Sequence, residues 1–356
     1  MESDKEIAFA LGGLAGNNAH GAGFLQAAME TGIEPRMISC SSGQVLWVYR
    51  YLLEKERKAH APDMRKLLEE DIGKMVTTKS YDVDTALLFL FGKADVYRPA
   101  FGEFAADLLR NSVRCLESIS VQWPNAFVTK ELLESVPGRL LVPEFPQSFF
   151  DDISKAFNDE QKIGIVFNSF DPLKGTELVH LNGAARVLEA ASTSKYRWRT
   201  DYRDITSDAV RDAIRLYQYG FDYGGGGHLD GAYYRQVMLS ELAFATDIFV
   251  ARPINYCWIG SALPTGLAGI EDLKTKVAFN GSYAGERDKI NLINKLIDDK
   301  VLAKPYKKIN LVEIEIELKR GYFDYIYESL DVFDAARKCA REKFQEFRDR
   351  RQPVPE

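Results

Sequence analysis

Residues 7–43 read IAFALGGLAGNNAHGAGFLQAAMETGIEPRMISCSSG, and the order of signals within them sets the fold class. Ile7–Leu11 is a short apolar run of the kind that fills a strand buried on both faces. It ends at Gly12–Gly13, and a loop of small residues continues to Gly23. Phe24–Thr31 has helical composition, Gly32 stops it, and Pro35 breaks the chain before a second short strand, Met37–Ser39. A sharp turn runs through Gly43, and Val45–Leu53 (VLWVYRYLL) is apolar enough for a buried helix. Strand, glycine loop, helix, strand, turn, helix is a βαβα start, which predicts an α/β fold around a parallel sheet.

Downstream the pattern changes. Residues 60–150 mix helical stretches (Met64–Met75, Phe101–Leu116) with aromatic and proline-containing connections such as Gln122–Asn125 and Pro143–Phe150. They are expected to form an insertion or cap beside the sheet. Strand pattern resumes at Ile163–Asn168, with Glu177–Leu181 as a hairpin partner and Ala184–Ala191 as a short helix. Tyr219–Gly231 carries a glycine-rich turn, Ile248–Arg252 and Ile309–Ile316 read as later strands, and a charged, aromatic-rich helix from about Phe323 to Arg350 closes the chain.

Composition narrows the function classes. With 356 residues, 46% hydrophobic and 28% charged, the chain can bury a large core without disulfides or metals. A net charge of -6 argues against a general nucleic-acid binder, which needs concentrated positive charge. Cys40, Cys115, Cys257 and Cys339 are scattered with no CxxC pair, which excludes a zinc ribbon and points to a reducing compartment. The charged N-terminus lacks the pattern of a signal peptide, and no apolar stretch reaches the length of about 18 residues that a membrane span needs. A cytoplasmic protein is expected, with peripheral membrane contact left open. The aromatic runs Leu87–Phe91 and Phe145–Phe150 read as core by default and as an acyl channel or membrane-facing lip if exposed together.

The candidate chemistry lies in two places. Ser39-Cys40-Ser41-Ser42-Gly43 sits where a strand meets a helix, and Ser39 and Gly43 provide the small residues that a nucleophile elbow centred on Ser41 requires. The following helix points its N-terminus at the serine, where its dipole favours developing negative charge. The glycine loop after the first strand is a candidate anion nest, for an oxyanion or for a phosphate. A serine needs a base within reach, and Asp230, after the glycine run Gly224–Gly227, is a carboxylate whose setting can raise its pKa. His228 and His20 are lesser candidates, read first as hydrogen-bonded structural residues. Cys40 reads as packing.

These segments together resemble the patatin-like phospholipases. IAFALGGLAGNNAHGAGFLQAAMETGI is similar to the family's opening, ISCSSG to its I-x-G-x-S-x-G elbow, and FDYGGGGHLDGAYYRQV to the segment with its catalytic aspartate. IVFNSFDPLKGTELVHLN and VLEAASTS resemble the strands and Ala-Ser stretch between them, so the likeness covers about residues 5–55 and 160–255. Ser39 replaces a glycine of the family's elbow, Leu14 replaces the third glycine of its loop, and Asn17 and Asn18 stand where the family has a basic residue.

The resemblance implies a three-layer α/β/α sandwich, with the acyl-hydrolase domain over residues 1–320 and a C-terminal helical extension over 321–356. It implies a Ser41–Asp230 dyad, an oxyanion hole from the amides of Gly12, Gly13 and Leu14, a lipid acyl ester as substrate, and no metal or organic cofactor. Two other readings stand beside it. One is a catalytically silent patatin-like scaffold that binds lipid or protein. The other is a nucleotide-binding α/β protein using Gly12–Gly16, which no phosphate-loop signature supports.

Overall fold

The computed structural model describes residues 6–14, 18–56, 63–76, 97–99, 101–122, 135–136, 141–143, 146–190, 199–216, 227–258, 262–304, 306–316 and 330–350. Its centre is the predicted pair β1 (Ile7–Leu11) and β2 (Met37–Cys40), both wholly buried and hydrogen-bonded in parallel. Between them runs α1 (Ala19–Thr31), which ends where Gly32 adopts a left-handed φ of 64°. The Ile33 N–H then closes back on the Ala28 carbonyl.

The remaining strands are β5 (Gly164–Asp171), β6 (Thr176–Leu181), β7 (Thr200–Asp204), β8 (Leu229–Asp230), β9 (Asp247–Arg252) and β10 (Asn310–Glu315). They extend the sheet to eight strands in the order β10-β9-β1-β2-β5-β6-β7, with β8 pairing β5 outside that path. Pairing is parallel except where β5 meets β6 and β8. The β5–β6 hairpin turns at Asp171, whose carboxylate accepts the amides of Leu173 and Lys174, and at Gly175 with φ 60°. β3 (Tyr97–Pro99) and β4 (Leu141–Pro143) form a separate antiparallel pair.

Alternation along the strands divides the core between two faces. Phe9, Ile38, Phe167 and Phe249 belong to one apolar cluster, and Ala8, Ala10, Val166 and Val250 to another. The first is covered by α1, α2 (Gln44–Glu56), α3 (Met64–Val76), α5 (Gln147–Asp159), α7 (Ser207–Ala213) and α9 (Leu330–Asp349). The second is covered by α6 (Gly183–Ala190), α8 (Leu267–Asp298) and the turns of residues 237–245. The protein is thus α/β, with helical layers on both faces of a mostly parallel sheet.

Two regions differ from expectation. The closing helix α9 is a core layer rather than an appendage: Phe333 and Phe344 are fully buried, and Phe344 packs on Phe9, Phe24 and Phe249. In the predicted insertion, α3 belongs to the main core through Met64 and Leu68, whereas α4 (Phe101–Gln122) exposes Leu109, Val113 and Leu116. Leu87–Phe91 and Phe145 lie outside the described residues, and Phe150 is core. Among the described residues no helix is long and apolar enough to cross a membrane.

Candidate functional site

The carboxyl ends of β1 and β2 bring the glycine loop and the serine turn together. The Ser41 N–H still donates to the Leu11 carbonyl at 3.2 Å, prolonging the β1–β2 ladder by one residue. Its hydroxyl lies 2.5 Å from the Gln236 carbonyl, to which it donates, and accepts the Gly13 N–H at 2.9 Å. The chain breaks direction one residue later. Ser42 has φ 54°, one of three non-glycine residues with positive φ among those described. A left-handed serine between a strand and a helix is the backbone signature of a nucleophile elbow, because strain of this kind persists only where the surroundings impose it. Gly13 is needed opposite it: a Cβ there would overlap the Ser41 carbonyl and the Ser42 Cβ.

Asp230 arrives from the other side. β8 pairs with β5 at Ser169↔Asp230, and the Asp230 N–H donates to the Arg215 carbonyl at 2.9 Å. Its carboxylate accepts the Ala232 N–H at 2.8 Å, and the serine near enough to favour its charged form is Ser42, not Ser41. Gly231 permits the turn, since a Cβ there would overlap the Asn168 side chain. The Asp230 side chain is essentially inaccessible, and burial pushes its pKa from 3.8 up to about 7, against the two hydrogen bonds that favour the carboxylate.

The structure therefore brings together Asp230 and one serine of the elbow, but the neighbouring one. Ser41 is engaged elsewhere through both its donor and its acceptor. Ser42 was not singled out from the sequence, although a usable signal existed. Counting I-x-G-x-S-x-G from Ile38 places Ser42 at the serine, with Cys40 and Gln44 at the flanking glycines. Ser39, assigned as a small elbow residue, is buried and donates to the Met238 carbonyl at 2.7 Å. Gly43 continues the turn into α2.

The three amides expected to hold an oxyanion are all occupied. Gly12 N–H donates to the Ala251 carbonyl at 3.1 Å, Gly13 N–H to Ser41 Oγ, and Leu14 N–H to Asn18 Oδ1 at 2.9 Å. As arranged here they cannot also bind a ligand. The Gly43 N–H, one residue beyond Ser42 at the start of α2, has no hydrogen-bond partner among the described residues. The glycine loop is further tied down by Gln236, whose side-chain amide donates to the Gly13 carbonyl at 2.7 Å.

The other candidates take structural places. His20 Nε2 donates to the Gly12 carbonyl at 2.8 Å, and burial pushes its pKa down to about 4, so the ring is neutral. His228 bonds Asp212 at 2.8 Å and lies 3.7 Å from Asp171, away from Asp230 in its contacts. Burial drives the Cys40 thiol far up its titration range, which makes it inert packing. Among the described residues no group of His, Cys, Asp and Glu side chains is arranged to hold a metal ion. The fold and site together define an α/β protein with a left-handed serine at the carboxyl edge of a mostly parallel sheet and a buried carboxylate near it. No family model and no curated protein matches this chain.

Proposed function

We propose that this protein is a serine lipid acyl hydrolase of the patatin-like type, with Ser42 as nucleophile and Asp230 as its base. The observation that carries the reading is a left-handed Ser42 set beside a buried carboxylate whose pKa burial raises to about 7. Asp230 takes the Ser42 proton as Oγ attacks the ester carbonyl, and the tetrahedral oxyanion forms beside the Gly43 N–H. Asp230 then protonates the leaving alcohol, and water, deprotonated by the same carboxylate, releases the fatty acid from the acyl-serine. A pKa near 7 suits a group that must both accept and return a proton at neutral pH. The lipid ester as substrate rests on the resemblance of the elbow, glycine-loop and Asp-Gly segments.

A second reading has an observation of its own. The Gly12, Gly13 and Leu14 amides are satisfied internally and Ser42 is buried, as expected for a catalytically silent scaffold of the same type. Fluorophosphonate labelling separates the two. The wild type, with and without anionic vesicles, should label on Ser42; Ser42→Ala should abolish labelling, and Ser41→Ala should retain it. An unlabelled wild type, or labelling that survives in Ser42→Ala, would remove the hydrolase reading.

A further inference from the structure

The segment that carries Asp230 touches the elbow at two points, and a buried ionic cluster sits between them. Asp230 is at one end. At the other, Gln236 receives the Ser41 hydroxyl through its carbonyl and holds the Gly13 carbonyl through its amide. Arg235 lies next to Gln236, and its side chain is buried against three carboxylates. Only 2% of that side chain is exposed. Its Nε donates to Glu177 of β6 at 2.7 Å, and its two terminal nitrogens grip both oxygens of Glu241 at 2.6 and 2.8 Å. Nη1 also lies 3.3 Å from Glu286 of α8.

The carboxylates are fixed in turn. Glu286 accepts the amides of Leu239 and Ser240 at 3.1 and 3.0 Å, so α8 holds the same segment by its backbone. Asn168 of β5 completes the arrangement. Its side-chain amide contacts Glu177 at 2.9 Å, the Gly231 carbonyl at 3.2 Å and the Arg235 carbonyl at 3.1 Å. The Arg235 N–H closes on the Gly231 carbonyl at 2.8 Å, forming a tight loop from Gly231 to Arg235.

A buried guanidinium amid three carboxylates is a poor source of net stability, because desolvating the charges offsets most of their attraction. What it provides is geometry: the planar fork accepts one bidentate partner and one lateral partner in fixed directions. We propose that Arg235 is a positioning residue for the Ser42–Asp230 pair, setting the place of Asp230 by clamping the segment that follows it to β6 and α8. It touches neither reacting atom and acts through Asp230. This inference rests on the hydrolase reading above.

Arg235→Lys keeps the charge and loses the fork, and Glu286→Gln keeps the shape and loses one charge. Fluorophosphonate labelling rates of wild type, Arg235→Lys, Asp230→Asn and the double variant form a cycle. A clamp acting through Asp230 predicts that Arg235→Lys slows labelling at least about tenfold alone and less than about twofold when Asp230 is already Asn. Equal slowing in both backgrounds, or none in either, overturns the assignment. Hydrogen exchange of residues 229–242 in unlabelled protein gives a readout that does not need activity. Arg235→Lys and Glu286→Gln should both speed exchange at the Asp230 and Gln236 amides, and unchanged protection there in a folded variant also overturns the clamp. Labelling that is independent of Ser42 refutes the hydrolase reading, while the exchange result still decides whether Arg235 holds the segment.

Discussion

Asp230→Asn should make this protein more stable at pH 8, and the gain should shrink as the pH falls. Burial raises the carboxyl pKa from 3.8 to about 7, so ionising it in the folded chain carries a penalty absent in the unfolded chain. Between those values the folded state binds more protons than the unfolded state, and stability falls as pH rises through the window. The penalty is absent below pH 3.8 and complete above about pH 7. At about 1.36 kcal/mol per pKa unit it reaches roughly 4 kcal/mol at pH 8 and roughly 2 kcal/mol at pH 5. Asparagine has no charge to bury, and its carbonyl still accepts the Ala232 N–H that Asp230 accepts at 2.8 Å. Unfolding entropy of about 2.1 cal/mol/K per residue over 356 residues gives about 0.75 kcal/mol/K. The variant should therefore melt about 5 °C above wild type at pH 8 and about 2 °C above it at pH 5. Differential scanning calorimetry across this range is the assay. An Asn variant that melts at or below wild type at pH 8, or a difference that does not vary with pH, would refute the account of a buried, proton-hungry carboxylate.

The same ionisation fixes the pH dependence of reactivity. Labelling of Ser42 should rise with pH up to about 7 and level off above it, with no further step from His20, held neutral by its own burial; a rate profile flat from pH 5 to 8 would exclude Asp230 as base. On the opposite side of α1, Gly23 lets α9 approach closely, since a Cβ there would overlap the Phe333 carbonyl. Gly23→Ala should cost about 1–3 kcal/mol through overpacking, read as a lower melting temperature at constant pH, and an unshifted melt would remove the close-approach argument.

How much of this was readable from the sequence follows from where burial makes the pattern loud. β1, β2 and β9 sit inside the sheet with helices on both faces, so their residues are almost continuously apolar and stand out. β7 (TDYRD) is an edge strand, largely exposed, and its polar sequence carries no strand signal; it is made a strand by pairing with β6. The 32-residue α8 went unread because its buried anchors, Phe279, Tyr283 and Ile290, are sparse among polar residues, while Val277 and Leu292 face outward. The core role of α9 was legible in principle: Val332, Phe333, Ala336, Ala340, Phe344 and Phe347 recur at helical spacing along one face. Its dense charge on the other face fits an appended helix equally well. The Arg235 cluster left no local trace, since Glu177, Glu241 and Glu286 come from three separate elements.

The serine proposed from the structure as nucleophile, Ser42, is one residue from the Ser41 expected from the sequence, and the difference has a physical reason. A rule that asks for small residues around a serine is satisfied by Ser41 and Ser42 alike, because both lie in the same tight turn. Strand periodicity separates them. Residues two apart on a strand share a face, and Ser39 and Ser41 behave as such a pair: one hydroxyl donates to the Met238 carbonyl and the other to the Gln236 carbonyl. These two serines stitch β2 to a neighbouring segment at matching two-residue steps, which is a structural duty. The backbone leaves the strand pattern at the next residue, where φ turns positive, and it is that residue whose side chain lies near enough to Asp230 to affect its ionisation. In an S-x-S-S-G turn at the end of a buried strand, the serine out of step with the others is therefore the better candidate for the nucleophile. The strand occupies the in-step hydroxyls before any substrate arrives.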